Sequence, residues 1–343
     1  MSAVKGHREE AGMSVWRSLR RRAGVLGAAA AVLLGGGAGY AAAQGPQQAP
    51  FPNRPVQVLV GFPAGGGADL IARAIQTQLG AALGQQIVVR NVTGAGGTIA
   101  GQQVVTGNTD GHLAILAPLG AGGVFLPHVR TIPYDLEALR PVCGVYDGPG
   151  TLMVAPDSPI RSVHDLISMA RERPGALNYG SPGPGSPAHV VMAGFTRAVG
   201  IEMEHVPFRG SADIALAMRA GQVQVFTDAF NIGSQLDLRP LAVFRREPLP
   251  LAPELPLIRE FGYDFEFSIH GGIFVPRGVP EPVFARWQAA CRTAVEAPET
   301  RDAFRRMAVL PMFMEGAAYA EKLRRDHQAV GEIVRAAGVP RQD

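Results

Sequence analysis

From residue 54 onward, two hydrophobic rhythms take turns along the chain. Short apolar runs read as strands: PVQVLVGF, QQIVVRNV, HLAILAP, TLMVAP, ALNYGS, EMEHVPF, QVQVFTD, RPLAVF and GGIFVP. Between them, apolar residues recur every three or four positions. ADLIARAIQTQLGAALG predicts an amphipathic helix ending at Gly84, and AGQQVVTG, SPAHVVMAGFTRAVG and SADIALAMRAG behave alike. SVHDLISMARERPG carries its own start signal, with Ser162 as N-cap and Asp165 at the third helical position. From Pro282 the chain reads as mainly helical, through PVFARWQAACRTAVE and AYAEKLRRDHQAVGEIVRAAG.

Strands and helices in alternation predict an α/β protein with largely parallel sheets. A length of 343 residues at ~150 per domain predicts about two domains. No tandem repeat appears at a solenoid period. The segment PLPLAPELP (248–256) reads as a surface loop.

Charge adds one correction to this picture. The chain has 32 Lys and Arg against 29 Asp and Glu. Residues 1–43 hold six of the bases and two of the acids, leaving 26 against 27 in the body. A near-neutral body lacks the basic footprint of a nucleic-acid binder. The excess sits in WRSLRRR, which precedes the uncharged run AGVLGAAAAVLLGGGAGYAAA and an A-x-A cleavage signal at residues 41–43. Residues 1–43 therefore read as a secretory signal peptide, removed before Gln44, with a retained membrane anchor as the rival. Met13 is the alternative start. The expected mature protein is soluble and exported to the periplasm. Cys143 and Cys291 have the chance to pair in an oxidising compartment, but both lie in apolar surroundings and are read as two buried free thiols.

Three glycine-rich loops each follow a strand and open a helix: GFPAGGGAD, TGAGGTIAG and YGSPGPGSPAH. None contains G-x-x-x-x-G-K-[ST], so each lacks the lysine and hydroxyl that a triphosphate site needs. The third has a formal G-x-G-x-x-A in Gly183, Gly185 and Ala188, with Glu202 and Glu204 downstream. Pro182, Pro184 and Pro187 remove N–H groups that a pyrophosphate would use, which argues against a dinucleotide. The sequence has no G-x-S-x-G, H-E-x-x-H or C-x-x-C, and Asp69 with His189 or His205 makes only an arbitrary dyad. No catalytic residue, cofactor or metal ligand is expected. In an open α/β sheet such loops gather at the carboxyl ends of the strands, and helix N-termini there bind anions without any lysine. Tight turns alone are the plain alternative for these glycines.

The ordered set FPNRPVQVLVGFPAGGGADLIAR, VVRNVTGAGGTIAGQQV, TDGHLAIL, ALNYGSPGPGSPAHV, HVPFRGSADIA, GQVQVFTDAF and RPLAVF resembles the extracytoplasmic solute receptors of tripartite tricarboxylate transporters, the Bug or TctC family. The resemblance runs from about Pro52 to Gly338. It implies a periplasmic binding protein fold, type II-like: two α/β lobes joined by crossover strands, with a ligand cleft between them. Lobe 1 would comprise residues 51–149 and 267–340, and lobe 2 residues 150–266. It further implies a monomeric receptor that binds a small organic carboxylate, closes over it and delivers it to a two-subunit membrane permease. In that reading Phe62, Pro63, Ala64, Gly65, Gly66 and Asp69 form the first-lobe grip. Ser181, Gly183, Gly185, Ser186 and His189, then Phe208, Arg209, Gly210 and Ser211, then Asp228, supply the second.

Two of these side chains have competing duties. Asp69 caps the following helix or accepts from a ligand, with capping favoured because it sits by helix N–H groups. Arg209 clamps a carboxylate if it faces inward, and is a solvated loop charge if it does not. The chain also departs from the family pattern. Arg90, Asn91, Val92 and Thr93 replace a common Glu-Asn-Arg-Pro, and the segment PLGAGG (118–123) lacks the usual hydroxyls. These changes favour a more apolar or longer carboxylate than citrate. The alternatives are a receptor signalling to a membrane histidine kinase and a secreted α/β hydrolase.

Overall fold

The computed structural model describes residues 50–341, so the predicted signal peptide lies outside the described residues. Eleven strands and ten helices follow one another in these residues. The first part runs β1 (Val56–Val60), α1 (Gly67–Leu83), β2 (Ile87–Asn91), α2 (Thr98–Val105), β3 (Leu113–Pro118), the short α3 (Leu126–Val129) and β4 (Leu139–Asp147). The middle runs β5 (Gly150–Val154), α4 (Val163–Glu172), β6 (Asn178–Ser181), α5 (Pro187–Val199), β7 (Glu204–Pro207), α6 (Ser211–Arg219), β8 (Val225–Ala229), α7 (Phe230–Gln235) and β9 (Arg239–Val243). The chain ends with β10 (Gly271–Pro276), α8 (Glu281–Glu296), α9 (Pro298–Arg306), β11 (Leu310–Glu315) and α10 (Gly316–Ala337).

Local chemistry accounts for the helix limits. In α1, Ile71, Ala72, Ile75, Leu79 and Leu83 fall on one buried face, and Gly84 ends the helix in the left-handed conformation. The Ser162 hydroxyl accepts the Asp165 N–H at the start of α4, as its sequence predicts. Ser186 likewise caps α5, with Pro187 at the first helical position.

The strands form two sheets, ordered β11-β4-β10-β3-β1-β2 and β7-β6-β8-β5-β9. The chain crosses from the first sheet to the second between β4 and β5, and returns between β9 and β10. The sheets are mixed, which corrects the expectation of largely parallel ones. β1 pairs in parallel with β2 and β3, and β6 with β7 and β8. The crossing strands run the other way: β10 and β11 are antiparallel to their neighbours, as is β5. One core cluster runs through both halves, and α10 packs against β4 of the first sheet and α5 beside the second.

Two further expectations are corrected. Cys143 on β4 and Cys291 on α8 are joined by a disulfide, not left as free thiols, because α8 packs on β4 and brings their Cα atoms to 6.6 Å. The proline-rich segment 248–256 is also more than a surface loop. Leu249 and Ala252 are buried in a small cluster with Val243 and Leu257. Among the described residues no helix is long and apolar enough to cross a membrane.

Candidate functional site

The parallel strands of both sheets end towards one cavity of about 660 Å³, within the size range of small-molecule sites. Its first wall is the turn after β1. Phe62, Pro63 and Gly66 line it, followed by Gly67 and Ala68 at the start of α1. Asp69 does not face the cavity; it is 1% exposed and braces the turn from behind. Its carboxylate accepts from the Gly65 N–H (2.9 Å), Arg73 Nε (2.9 Å) and Asn91 Nδ2 (2.9 Å). Arg73 is the largest cause holding that carboxyl down at about 2, against the opposing effect of burial. Asn91 also donates to the Phe62 carbonyl, tying β2 to the loop. The Gly66 N–H goes to the Pro63 carbonyl, while Gly67 and Ala68, in the first turn of α1, have no acceptor within the helix. Ala64 and Gly65 are exposed and off the cavity wall.

The second glycine loop, residues 94–97, serves mainly as a support. A Cβ on Gly61 would lie 2.6 Å from the Gly97 Cα, so the two loops meet backbone to backbone.

The third loop forms the opposite wall through Pro182, Gly183, Pro184, Gly185, Ser186 and Pro187. Its N–H groups are largely spent. The Gly183 N–H goes to Ser181 Oγ, that of Gly185 to His189 Nδ1 (2.9 Å), and that of Ser186 to the Gly183 carbonyl. The prolines have none to offer. This loop is thus a shaped wall rather than an array of donors. Ser181 and His189 hold it from outside the cavity: Ser181 Oγ lies 2.6 Å from His205 Nε2, and the two histidine rings stack with centroids 4.0 Å apart. Burial, and then the His205 neighbour, push His189 down to about 4, which keeps Nδ1 free to accept. Neither histidine meets Asp69, so the arbitrary dyad does not form.

At the start of α6, Ser211 lines the cavity and its hydroxyl donates to Asp228 Oδ2 (2.6 Å). Asp228 Oδ1 accepts the Ala229 N–H (2.7 Å), and burial raises this carboxyl. Phe208, Arg209 and Gly210 do not line the cavity. Phe208 packs against the apolar cluster beside α6, and Arg209 is exposed.

Three polar lining side chains were not among the residues the sequence pointed to. Arg130, just after α3, donates Nη2 to the Ala95 carbonyl (2.8 Å) and has no carboxylate partner among the described residues. Asn231 and Tyr146 are 7% and 4% exposed, line the cavity, and make no side-chain hydrogen bond among the described residues. The rest of the lining is largely apolar, including Ile71, Leu119, Phe125, Leu126, Val129 and Ile269. Within the described residues no cluster of His, Cys, Asp or Glu is arranged to hold a metal.

The model of the tripartite tricarboxylate transporter family receptor, TctC, matches residues 71–339. The chain belongs to this receptor family. The structure of the periplasmic binding protein BugD matches with a TM-score of 0.72 and 26% identity, over 85% of this chain and all of that one. A Rhodopseudomonas palustris protein solved with adipate matches with a TM-score of 0.75 and 27% identity, over 85% of this chain and all of its own. MatC from R. palustris, solved with bound malate, gives 0.71 and 27%, over 83% of this chain and all of that one. The two α/β sheets are therefore those of a periplasmic binding protein of the TctC and Bug type. Members of this receptor family capture solutes for a membrane transporter and are not enzymes.

Proposed function

We propose that this receptor captures a small organic carboxylate in the cavity between the two sheets and delivers it to a two-subunit membrane permease. The observation that carries the proposal is the balance of charge on the cavity wall. Arg130 and Asp228 are its charged lining residues, and both Asp228 oxygens are already engaged. Arg130 and the first N–H groups of α1 are left to meet an anion. The carboxylates in the malate- and adipate-bound relatives support the same chemistry.

In this reading residues 51–149 and 267–340 form one lobe and 150–266 the other. The ligand shifts the population towards the closed arrangement because it touches both. One contact already spans the cavity: a Cβ on Gly185 would lie 2.7 Å from the Val129 Cβ. The leader at residues 1–43 is removed on export, and the receptor works as a monomer. A thermal-shift screen of protein that has been unfolded and refolded tests the reading, using mono-, di- and tricarboxylates, aromatic acids and amino acids. A saturable rise with one carboxylate class is expected, since stabilisation follows occupancy of the native state. A flat response from folded protein contradicts it.

A further inference from the structure

Arg130 stands at the end of the segment that supplies Phe125, Leu126 and Val129 to the cavity. Its Nη2 would lie 3.2 Å from a Cβ on Gly96, another lining residue. The guanidinium also borders a shallower hollow of about 410 Å³, whose wall includes Thr98, Ile99 and Gln102 but no acid. Its one protein partner in hydrogen bonding is a neutral carbonyl, so no carboxylate is paired with it. A half-buried guanidinium has five donors in a fixed fork that matches a carboxylate. Asp228 is the acid in the same cavity, but its oxygens are committed to Ser211 and Ala229.

We infer that Arg130 is a specificity-determining residue that pairs with a second acidic group, at the far end of an elongated dicarboxylate with an apolar spacer. This rests on the carboxylate reading above, in which the first acidic group meets the α1 N-terminus. Arg130 comes from a different segment of chain and provides a separate positive element. The side chains beside it, Phe125, Leu126 and Val129, offer no partner to hydroxyl groups on a spacer. An oxygen-rich ligand would lose hydration there without repayment.

The competing role for Arg130 is structural: its bond to Ala95 steadies the 94–97 turn, where Ala95 has a φ of 48°. The test separates the two roles. Calorimetric titrations of refolded protein use linear α,ω-dicarboxylates of four to eight carbons and the monocarboxylates of equal length. They are run on the wild type, Arg130→Gln and Arg130→Lys, with melting temperatures recorded in parallel. The wild type is expected to bind its best dicarboxylate at least about tenfold more tightly than the matching monocarboxylate, the range of a charge-assisted pair. Arg130→Gln should erase that preference by weakening the dicarboxylate alone, and Arg130→Lys should keep part of it, since the charge survives but the fork does not. Equal weakening of both ligands, or no change in either, overturns the inference and leaves the carboxylate reading standing. A wild type that binds monocarboxylates as well as dicarboxylates does the same. Binding of neither series overturns this inference, and the broader screen of tricarboxylates and aromatic acids then decides the reading beneath it.

Discussion

Replacing Asp69 with Asn tests how the first cavity wall is held. The carboxylate takes three hydrogen bonds, from Gly65, Arg73 and Asn91, and is almost wholly buried. Its pKa drops from an ordinary 3.8 to about 2 on folding. A shift of that size corresponds to about 2 kcal/mol of stability at neutral pH. Arg73 is 47% exposed, so solvent screening trims the figure to about 1–2 kcal/mol. The sign follows from the direction of the shift. A depressed carboxyl contributes fully above its unfolded value, and loses that contribution as pH falls from about 4 through about 2. Asp69→Asn should therefore destabilise the protein by about 1–2 kcal/mol at pH 7 and by roughly half as much at pH 3. Urea unfolding of both proteins at the two pH values measures this. A stability difference that is the same at pH 3 and pH 7 would refute the ionic account of the brace. It would leave only the lost hydrogen-bond geometry.

Three other consequences are open to measurement. Gly185→Val places a β-branched residue at a φ of 72° with its Cβ against Val129, so ligand affinity should fall at least about tenfold by titration while the fold persists. Unchanged affinity would show that Gly185 and Val129 need not meet. Reducing the Cys143–Cys291 bridge, or replacing both with Ala, should cost about 2–5 kcal/mol in urea unfolding, because it links positions 148 residues apart. No loss of stability would mean that α8 holds to β4 without it. Stability should also decline as pH falls from about 6.5 towards about 4. The unfolded chain binds a proton that His189 refuses while its Nδ1 accepts from Gly185. His189→Asn should flatten that part of a melting-temperature profile, and an unaltered profile would remove His189 from the account.

Much of the fold was legible because burial writes a period into the chain. The fully buried β5 appears as the apolar run TLMV, β8 lies within the strand-like QVQVFTD, and the α1 face repeats every three or four residues. What escaped has physical reasons. β4 carries Pro141 and Gly144, and β11 carries Pro311, so both break the apolar rhythm that marks a strand. Strand direction is a tertiary property, which is why the antiparallel crossing strands were not foreseen. The disulfide is hidden for a similar reason, since Cys143 and Cys291 each look like a buried thiol until α8 is laid on β4.

The site divided along the same line. Glycine loops after strands are a local signal, and Phe62, Gly66, Gly183, Gly185 and Ser211 do line one cavity. Asp69 was expected to cap the helix N–H groups, but its carboxylate makes no such bond and accepts instead from Gly65 in the turn before the helix and from Arg73 and Asn91. Arg209 stands out by its place in a motif, yet it is exposed and does not line the cavity, whereas Arg130 does. Arg130 follows a single short turn of helix, with no pattern to betray it. Asn231 and Tyr146 are likewise brought to the cavity only by the crossing of the chain between sheets.

The most direct test of the central claim removes one backbone donor and little else. Gly67 is the first residue of α1, lines the cavity, and follows Gly66 at φ −74° and ψ 164°, an extended conformation that a following proline accepts. Gly67→Pro deletes the N–H at a position where helices tolerate proline. Calorimetric titration of refolded wild type and Gly67→Pro, with the carboxylate chosen by the thermal screen, should give saturable binding to the wild type. Binding to the variant should be at least about tenfold weaker, at nearly the same melting temperature. Equal affinity in the two proteins would contradict the assignment of the carboxylate to the α1 N-terminus.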